Sequence, residues 1–351
     1  MTTKIQTVVL GASGYVAGEL LRLIAQHPIL ELAAAVSESR AGQPIHEEFP
    51  NLQSSFGEQT FVSHDRIAEF LRDDVALFSA APHGASAALV ANVLELAEKQ
   101  KAQITIVDAS ADFRYDDADA YANVYGQPHG APQLLDQFAC ALPEHLETND
   151  KPHIGHPGCF ATAMLVGAVP LLKLGLITPQ INAVGITGST GSGRAPTATT
   201  HHPVRHANLF AYKPLAHRHA PEVRGICEAV TGVKPQLNFV PHSGPFARGI
   251  HMTLQAQLNE EHSQQDILEA LNSFYADKTF MRVTENPPRL KDVTGSNFCH
   301  LSAAVDGTNL VVFSVIDNLV KGAAGGAIQW MNRQLDLAED AGLTMPGPGW
   351  M

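Results

Sequence analysis

The sequence is poor in cysteine: four residues in 351, with no CxxC pair and no disulfide-type spacing. Cys140, Cys159, Cys227 and Cys299 therefore offer neither a zinc nor a redox pair, and a reducing cytoplasm is the expected location. Basic charge is also scarce. Lys and Arg number 23 against 35 Asp and Glu, a net charge of −12, which argues against nucleic acid or an anionic membrane as partner. No apolar run approaches the roughly 20 residues of a membrane span, and residues 1–6 do not read as a signal peptide. No internal repeat or low-complexity stretch appears. With 45% hydrophobic and 17% charged residues, the chain is globular, and its length predicts two domains.

At the start, Thr7-Val8-Val9-Leu10 reads as a strand running into Gly11-Ala12-Ser13-Gly14-Tyr15-Val16-Ala17-Gly18. A helix follows with Leu20, Leu21, Ile24 and Ala25 on one face. Strand, glycine turn and helix N-terminus together make a pyrophosphate cradle, because backbone N–H groups can close on an anion where side chains are absent. The spacing is Gly-x-x-Gly-x-x-Ala rather than the usual Gly-x-Gly-x-x-Gly. A second strand, Leu30 to Val36, ends in Ser37-Glu38-Ser39-Arg40. Hydroxyls and a guanidinium there suit the 2′-phosphate of NADP, whereas Glu38 would suit the ribose of NAD.

A third strand, Val75 to Ala80, leads into Pro82-His83 and a helix carrying Leu89, Val93, Leu96 and Ala97. Ile104 to Asp108 is the next strand and ends near Arg114, in position to meet an anion. Strands alternating with helices imply α/β architecture: a doubly wound, Rossmann-type parallel sheet with ligands at the strands' carboxyl ends. Tyr115 to Pro152 reads as irregular connection.

The second half alternates differently. Ile250 to Leu258 is strictly apolar/polar, and Leu301 to Val305 with Leu310 to Ile316 flank a hairpin turn at 306–309. Ser263 caps a helix bearing Ile267, Leu268, Leu271 and Phe274. This half is α+β with a mainly antiparallel sheet. The expected domains are 1–157 for the dinucleotide, completed by a C-terminal helix within 318–351, and 158–317 for catalysis and dimerisation.

Between the halves, Pro157-Gly158-Cys159 hands a cysteine to the first turn of an apolar helix. Unpaired N–H groups and the helix dipole favour thiolate there, although most unpaired cysteines are small buried hydrophobes. Thr187 to Arg194, with three glycines and four hydroxyls, reads either as an anion or cofactor loop or as a plain surface turn. His217 and His219 can serve as acid/base, with Glu222 near to orient one. Histidines 201, 202, 206, 217 and 219 lack the partners of a tidy ligand set, so no metal is expected.

The ordered set Gly11-Ala-Ser-Gly-Tyr15, Ser110-Ala-Asp-Phe-Arg114, Pro157-Gly-Cys159, Gly191-Ser-Gly-Arg194, His217-Arg-His-x-Pro-Glu222, Gly295-Ser-Asn-Phe-Cys299 and Asp317-Asn-Leu-Val-Lys-Gly-Ala-Ala324 resembles the N-acetyl-gamma-glutamyl-phosphate reductase family of arginine biosynthesis. It runs from residue 7 to about 337. The resemblance implies an NADPH-dependent acyl-phosphate reductase with Cys159 as nucleophile and His217 as acid/base. It implies that Ser13 to Val16, Pro82-His83, the loop with Ser189 and Gly191, and Asn318 line the NADP site. Gly11, Gly14, Tyr15, Ser37, Ser39 and Arg40 complete the expected cofactor set. Arg114, Arg194, Arg218, Glu222 and Arg248 are the expected substrate ligands, the substrate a small acyl phosphate, and the assembly a homodimer or homotetramer.

The chain departs from the family in having His156 where Asn is commoner before Pro-Gly-Cys, and Phe160-Ala161-Thr162 after it. His201-His202-Pro203 with Arg205 resembles the branch acting on carrier-protein-linked acyl phosphates, so a carrier-linked or differently N-substituted substrate is the alternative. Aspartate-semialdehyde dehydrogenase is the nearest rival and is expected to lack the His217-Arg-His-x-Pro-Glu222 string. A Cys-His hydrolase leaves the Gly11 turn without purpose, and a redox-sensing dinucleotide binder needs neither Cys159 nor His217.

Overall fold

The computed structural model describes residues 4–350. Two compact units account for them. The first gathers 4–140, 148–156 and 323–344, and the second 141–147, 157–322 and 345–350. The chain passes from the first to the second between His156 and Pro157, immediately before Cys159.

The first unit is built on six parallel strands: β1 Ile5–Leu10, β2 Leu30–Val36, β3 Asp74–Ser79, β4 Gln103–Asp108, β5 Phe138–Ala139 and β6 His153–Gly155. Their order is β2-β1-β3-β4-β6-β5, with every pair parallel. Parallel strands of this kind are buried on both faces, and Val8, Val9, Leu10, Ala76, Leu77 and Phe78 have no solvent exposure, as the continuous apolar runs require. Helices Tyr15–Ile24 and Ser86–Gln100 follow β1 and β3. Because β1 has β2 on one side and β3 on the other, the order reverses there, and a crevice opens at their carboxyl ends.

The stretch read as irregular connection holds a helix, Ala118–Tyr125. Asp117 starts it by accepting from the N–H groups of Asp119 and Ala120, a side-chain N-cap that the apolar pattern alone does not reveal. Helix Gly325–Gln334 completes the unit, preceded by a π-helical turn, Val320–Ala324.

The second unit carries seven strands: β7 Ile177–Thr187, β8 Phe210–Ala211, β9 Gln236–Ser243, β10 Ile250–Leu258, β11 Met281–Val283, β12 Cys299–Asp306 and β13 Asn309–Ile316. The order is β11-β12-β13-β10-β7-β9-β8. Four of its pairings are antiparallel and two parallel, so the sheet is mixed and mainly antiparallel, as expected.

Helices Cys159–Lys173, His219–Thr231 and Gln264–Phe274 belong to this unit. The Cys159 helix is apolar all round and buried from Phe160 to Leu172, which marks a core helix. Its seat on the sheet depends on glycine. A Cβ on Gly167 would stand 2.6 Å from Leu254, and one on Gly185 2.5 Å from the Phe160 ring.

Chain entry to the cysteine is equally confined. Gly155 packs against the Phe113 backbone so closely that an added Cβ would lie 1.8 Å from the Phe113 carbonyl oxygen. Backbone cannot yield as a side-chain tip can. Gly155→Ala should therefore cost about 1–3 kcal/mol or more, read as a fall in melting temperature; an unchanged melting temperature would contradict the packing described.

Candidate active site

In the first unit, β1 runs into Gly11, whose φ of +67° is a left-handed value that glycine adopts readily. A Cβ there would lie 2.6 Å from the Ala81 backbone, so the turn closes against the end of β3 only with glycine. Gly14 is the N-cap of helix Tyr15–Ile24, and no side chain caps that helix. A Cβ on Gly14 would meet nothing within 4 Å, leaving room above the first-turn N–H groups of Tyr15 and Val16 for an anion.

The Ser37 hydroxyl donates to Ser13 Oγ at 3.1 Å, with Ser39 Oγ 3.5 Å away. Glu38 turns elsewhere: its carboxylate accepts from the His64 N–H at 3.1 Å. Arg40 lies 3.1 Å from the Glu48 carboxylate and also donates to Gln43. Pro82 and His83 are exposed where β3 ends, and the loop is held by Asp112, which accepts from the Gly84 and Ala87 N–H groups. These residues fit a dinucleotide.

Arg114, at the end of β4, donates to the His156 carbonyl at 2.9 Å. It braces the chain just before Pro157.

In the second unit, the helix starts at Cys159 itself, with Gly158 as N-cap and no side-chain cap. Glu222, 1% exposed, accepts the Gly158 N–H at 2.7 Å and so fixes the turn that precedes the cysteine. The sulfur belongs to the first helical turn, where N–H groups and the dipole favour an anion. Two of the other thiols are chemically quiet: burial pushes Cys227 up to about 12 and raises Cys299 still further.

His217 stands in an aromatic box. Its ring centroid is 5.5 Å from Phe160 (the residue after the cysteine), 5.4 Å from Phe239, 5.8 Å from Tyr212 and 4.7 Å from His219. Nδ1 accepts from the His219 N–H at 3.2 Å, so the neutral ring carries its proton on Nε2. Burial first, then Arg218 and Lys213, lower its pKa to about 4. Tyr212 was not among the expected residues. Its phenol is raised by burial and by Cys159, and opposed by Arg218 and Arg205, so it stays a neutral donor beside the cysteine. No local pattern in Phe210-Ala-Tyr-Lys signals that role.

The Ser189–Gly191 loop is pinned to the strand entry opposite: Gly188 N–H donates to Gly249, Ser189 N–H to Phe246 and Thr190 N–H to Ala247. Asn318 accepts from the Gly249 N–H at 2.6 Å and donates to Thr190 Oγ1 at 3.0 Å. Arg248 makes a two-pronged pair with buried Asp317 at 3.0 and 3.1 Å. Arg194 and Arg218 are exposed. The second unit therefore gathers Cys159, His217, Glu222, Arg248 and Asn318 into one connected region, whereas Gly11 to Val16, Ser37 to Arg40, Pro82, His83 and Arg114 lie in the first. Among the described residues no group of three His, Cys, Asp or Glu could hold a metal ion, and no helix is long and apolar enough to cross a membrane.

Two family models match the chain. The semialdehyde dehydrogenase NAD binding domain covers residues 6–149, and the semialdehyde dehydrogenase dimerisation domain covers 159–318. Among solved structures, aspartate semialdehyde dehydrogenase II from Vibrio cholerae in complex with ASA superposes with a TM-score of 0.70 at 15% identity, over 95% of this chain and 99% of that one. The Candida albicans aspartate semialdehyde dehydrogenase with NADP gives 0.67 at 16% identity, over 97% and 100%. At these identities the likeness is one of fold.

Sequence relatives are nearer. The N-acetyl-gamma-glutamyl-phosphate reductase of Methanopyrus kandleri is 38% identical over 345 residues, 97% of this chain and 98% of that protein. Those of Dehalococcoides mccartyi strain CBDB1 and Pseudomonas fluorescens strain Pf0-1 are also 38% identical, each over 97% of this chain and 97% and 98% of their own. With an NAD-binding first domain, one helix-initiating cysteine and full-length relatives of one name, the chain belongs to the N-acetyl-gamma-glutamyl-phosphate reductase family.

Proposed function

We propose that this chain reduces N-acetyl-gamma-glutamyl phosphate to N-acetylglutamate 5-semialdehyde and phosphate in arginine biosynthesis, with NADPH as reductant. The observation that carries the reading is Cys159 at an uncapped helix N-terminus, one residue from the ring that packs on a buried neutral histidine.

Cys159 attacks the acyl carbon, the carbon–oxygen bond to phosphate breaks, and a thioester remains. Gly11 to Val16 would hold the dinucleotide, which when bound would supply the hydride that reduces the thioester carbon. The thiohemiacetal on Cys159 then collapses to aldehyde and thiolate. First-turn N–H groups of the Cys159 helix and the Tyr212 phenol are suited to the oxyanion that develops at each step. The neutral His217 ring donates a hydrogen bond from Nε2–H to the departing or forming oxygen and keeps that proton. Arg194 and Arg218 remain exposed to meet phosphate and carboxylate, while Glu222, Arg248 and Arg114 hold backbone and partners in place. A homodimer or homotetramer accords with the dimerisation-domain match over 159–318.

One equivalent of iodoacetamide at neutral pH should label Cys159 and stop the reverse reaction of semialdehyde, phosphate and NADP. A fully active Cys159→Ala protein would end the proposal. His217→Asn should lose about 10²- to 10⁴-fold in kcat with nucleotide affinity unchanged; the same loss in His219→Asn instead would exchange the two roles.

Acid dependence follows from His217. Its folded pKa of about 4 lies below the ordinary 6.5, so folding favours the neutral ring, and acid removes that contribution as pH falls from 6.5 through 4. The acid limb of kcat/KM should have its midpoint nearer 4 than 6.5. A limb centred at 6.5 that vanishes in His217→Asn would contradict this environment.

NADPH over NADH is supported by the Ser13, Ser37, Ser39 and Arg40 grouping and by Glu38 being engaged with His64. Charge-assisted hydrogen bonds contribute about 1.5–3 kcal/mol; with Arg40 partly exposed and shared with Glu48, the lower end applies. Arg40→Ala should raise KM for NADPH about tenfold and leave that for NADH unchanged. Equal use of both nucleotides by the wild-type protein would make Glu38 the ribose ligand.

A further inference from the structure

Behind the cysteine, the second unit buries a pair of opposite charges that the mechanism does not use. Lys321 Nζ donates to Glu144 Oε1 at 2.5 Å, and both side chains are 1% exposed. Lys321 also lies 5.5 Å from the Phe280 ring centroid, within cation–π range. Desolvating two charges costs several kcal/mol each, and apolar residues of similar size often stabilise as well or better. Stability alone is therefore a weak reason for the pair, and its neighbours suggest a different one.

Lys321 belongs to the π turn Val320–Ala324. The next residue, Gly322, donates its N–H to the Asp317 carbonyl at 3.0 Å and rests directly on the cysteine. A Cβ added at Gly322 would lie 2.8 Å from Cys159 Cβ and 3.1 Å from Cys159 Cα. Single π turns inside helical segments are frequent at functional sites. Here the turn is the surface on which the cysteine's Cβ sits.

The partner carboxylate comes from a short excursion of the chain, 141–147, grouped with the second unit. Its next residue, through Tyr275, reaches the helix that the cysteine begins. His145 Nε2 and the Tyr275 hydroxyl are 2.8 Å apart, and that hydroxyl donates to the Val166 carbonyl at 2.7 Å within the Cys159 helix. Since the one phenolic proton is given to Val166, His145 must donate from Nε2 and is neutral; burial pulls its pKa down to about 3. Glu144 thus grips the turn beneath Cys159, and His145 grips the helix that Cys159 begins.

Resting on Cys159 as the nucleophile, we infer that Glu144 and Lys321 are positioning residues for it: their ion pair holds the π turn so that Gly322 fixes the Cys159 Cβ at its attacking position. Misplacing a reacting group by about 1 Å costs on the order of 10²-fold in rate, so the pair should show itself in kcat.

The test compares Glu144→Gln, Lys321→Met and the apolar double variant Glu144→Leu/Lys321→Met in the reverse reaction, together with melting temperature and the Kd for NADP. Each single variant should lose about 10- to 100-fold in kcat with the Kd for NADP within about twofold of wild type. The double variant should melt no lower than the single variants while its kcat stays depressed, a split that a purely structural pair would not give. A double variant whose kcat returns to wild type along with its melting temperature overturns the inference. Should the double variant fail to fold, Glu144→Gln decides alone, because it keeps the shape of the side chain: wild-type kcat overturns the inference, and lowered kcat with unchanged NADP affinity supports it. Cys159→Ala separates the two readings. Turnover in Cys159→Ala removes the nucleophile reading, whereas an inactive Cys159→Ala beside a fully active Glu144→Gln removes only the positioning role.

Discussion

The start of the Cys159 helix is the constraint on which the site depends. A helix that begins without a side-chain cap leaves first-turn N–H groups to whatever anion arrives, and a capping residue at position 158 would take that capacity away. Gly158 supplies no cap, and its own N–H is taken by Glu222. The helix behind it is buried along its length, so the dipole ends in a fixed place rather than in a fraying surface turn. Anion affinity and rigidity thus come from one arrangement.

Charges around this point are paired or spent on backbone. Arg248 pairs with Asp317, Lys321 with Glu144, and Arg114 donates to the His156 carbonyl. Arg194 and Arg218 are exposed. Asp317 shows the economy of the layout. One carboxylate accepts from Arg248 and from the N–H groups of Gly295, Leu319 and Val320, tying together the start of the π turn that carries Gly322.

Regular elements were legible where local pattern and burial agree. β2 and β10 have the bounds that their apolar runs predict, and Ser263 caps its helix through a full capping box with Asp266. β9, Gln236–Ser243, was missed because Pro241 and His242 interrupt the expected composition; tertiary pairing with β7 overrides that weak propensity. Helix His219–Thr231 was missed because it opens on His, Pro and Glu, and its buried face emerges only against the Cys159 helix. Cys159 could be singled out from one segment, and the pair His217 and His219 from another, the choice between them resting on the family resemblance. What positions them could not: Glu222 meets Gly158 across 64 positions and Lys321 meets Glu144 across 177. Such pairs leave no period or spacing in a single sequence.

Several residues expected to touch ligand also hold the frame. A side chain that fixes a backbone N–H and one that binds a substrate carboxylate use the same chemistry, so motif strings enrich for both. Glu222, Arg248 and Asn318 have their polar atoms directed to Gly158, Asp317 and Gly249, whereas the neutral His217 ring accepts at Nδ1 and keeps Nε2–H for donation. A buried group held in one tautomer by a backbone N–H is prepared to donate that hydrogen bond without reorganisation. A buried group with its lone pairs or protons already directed to the frame contributes by keeping the reacting atoms where they are.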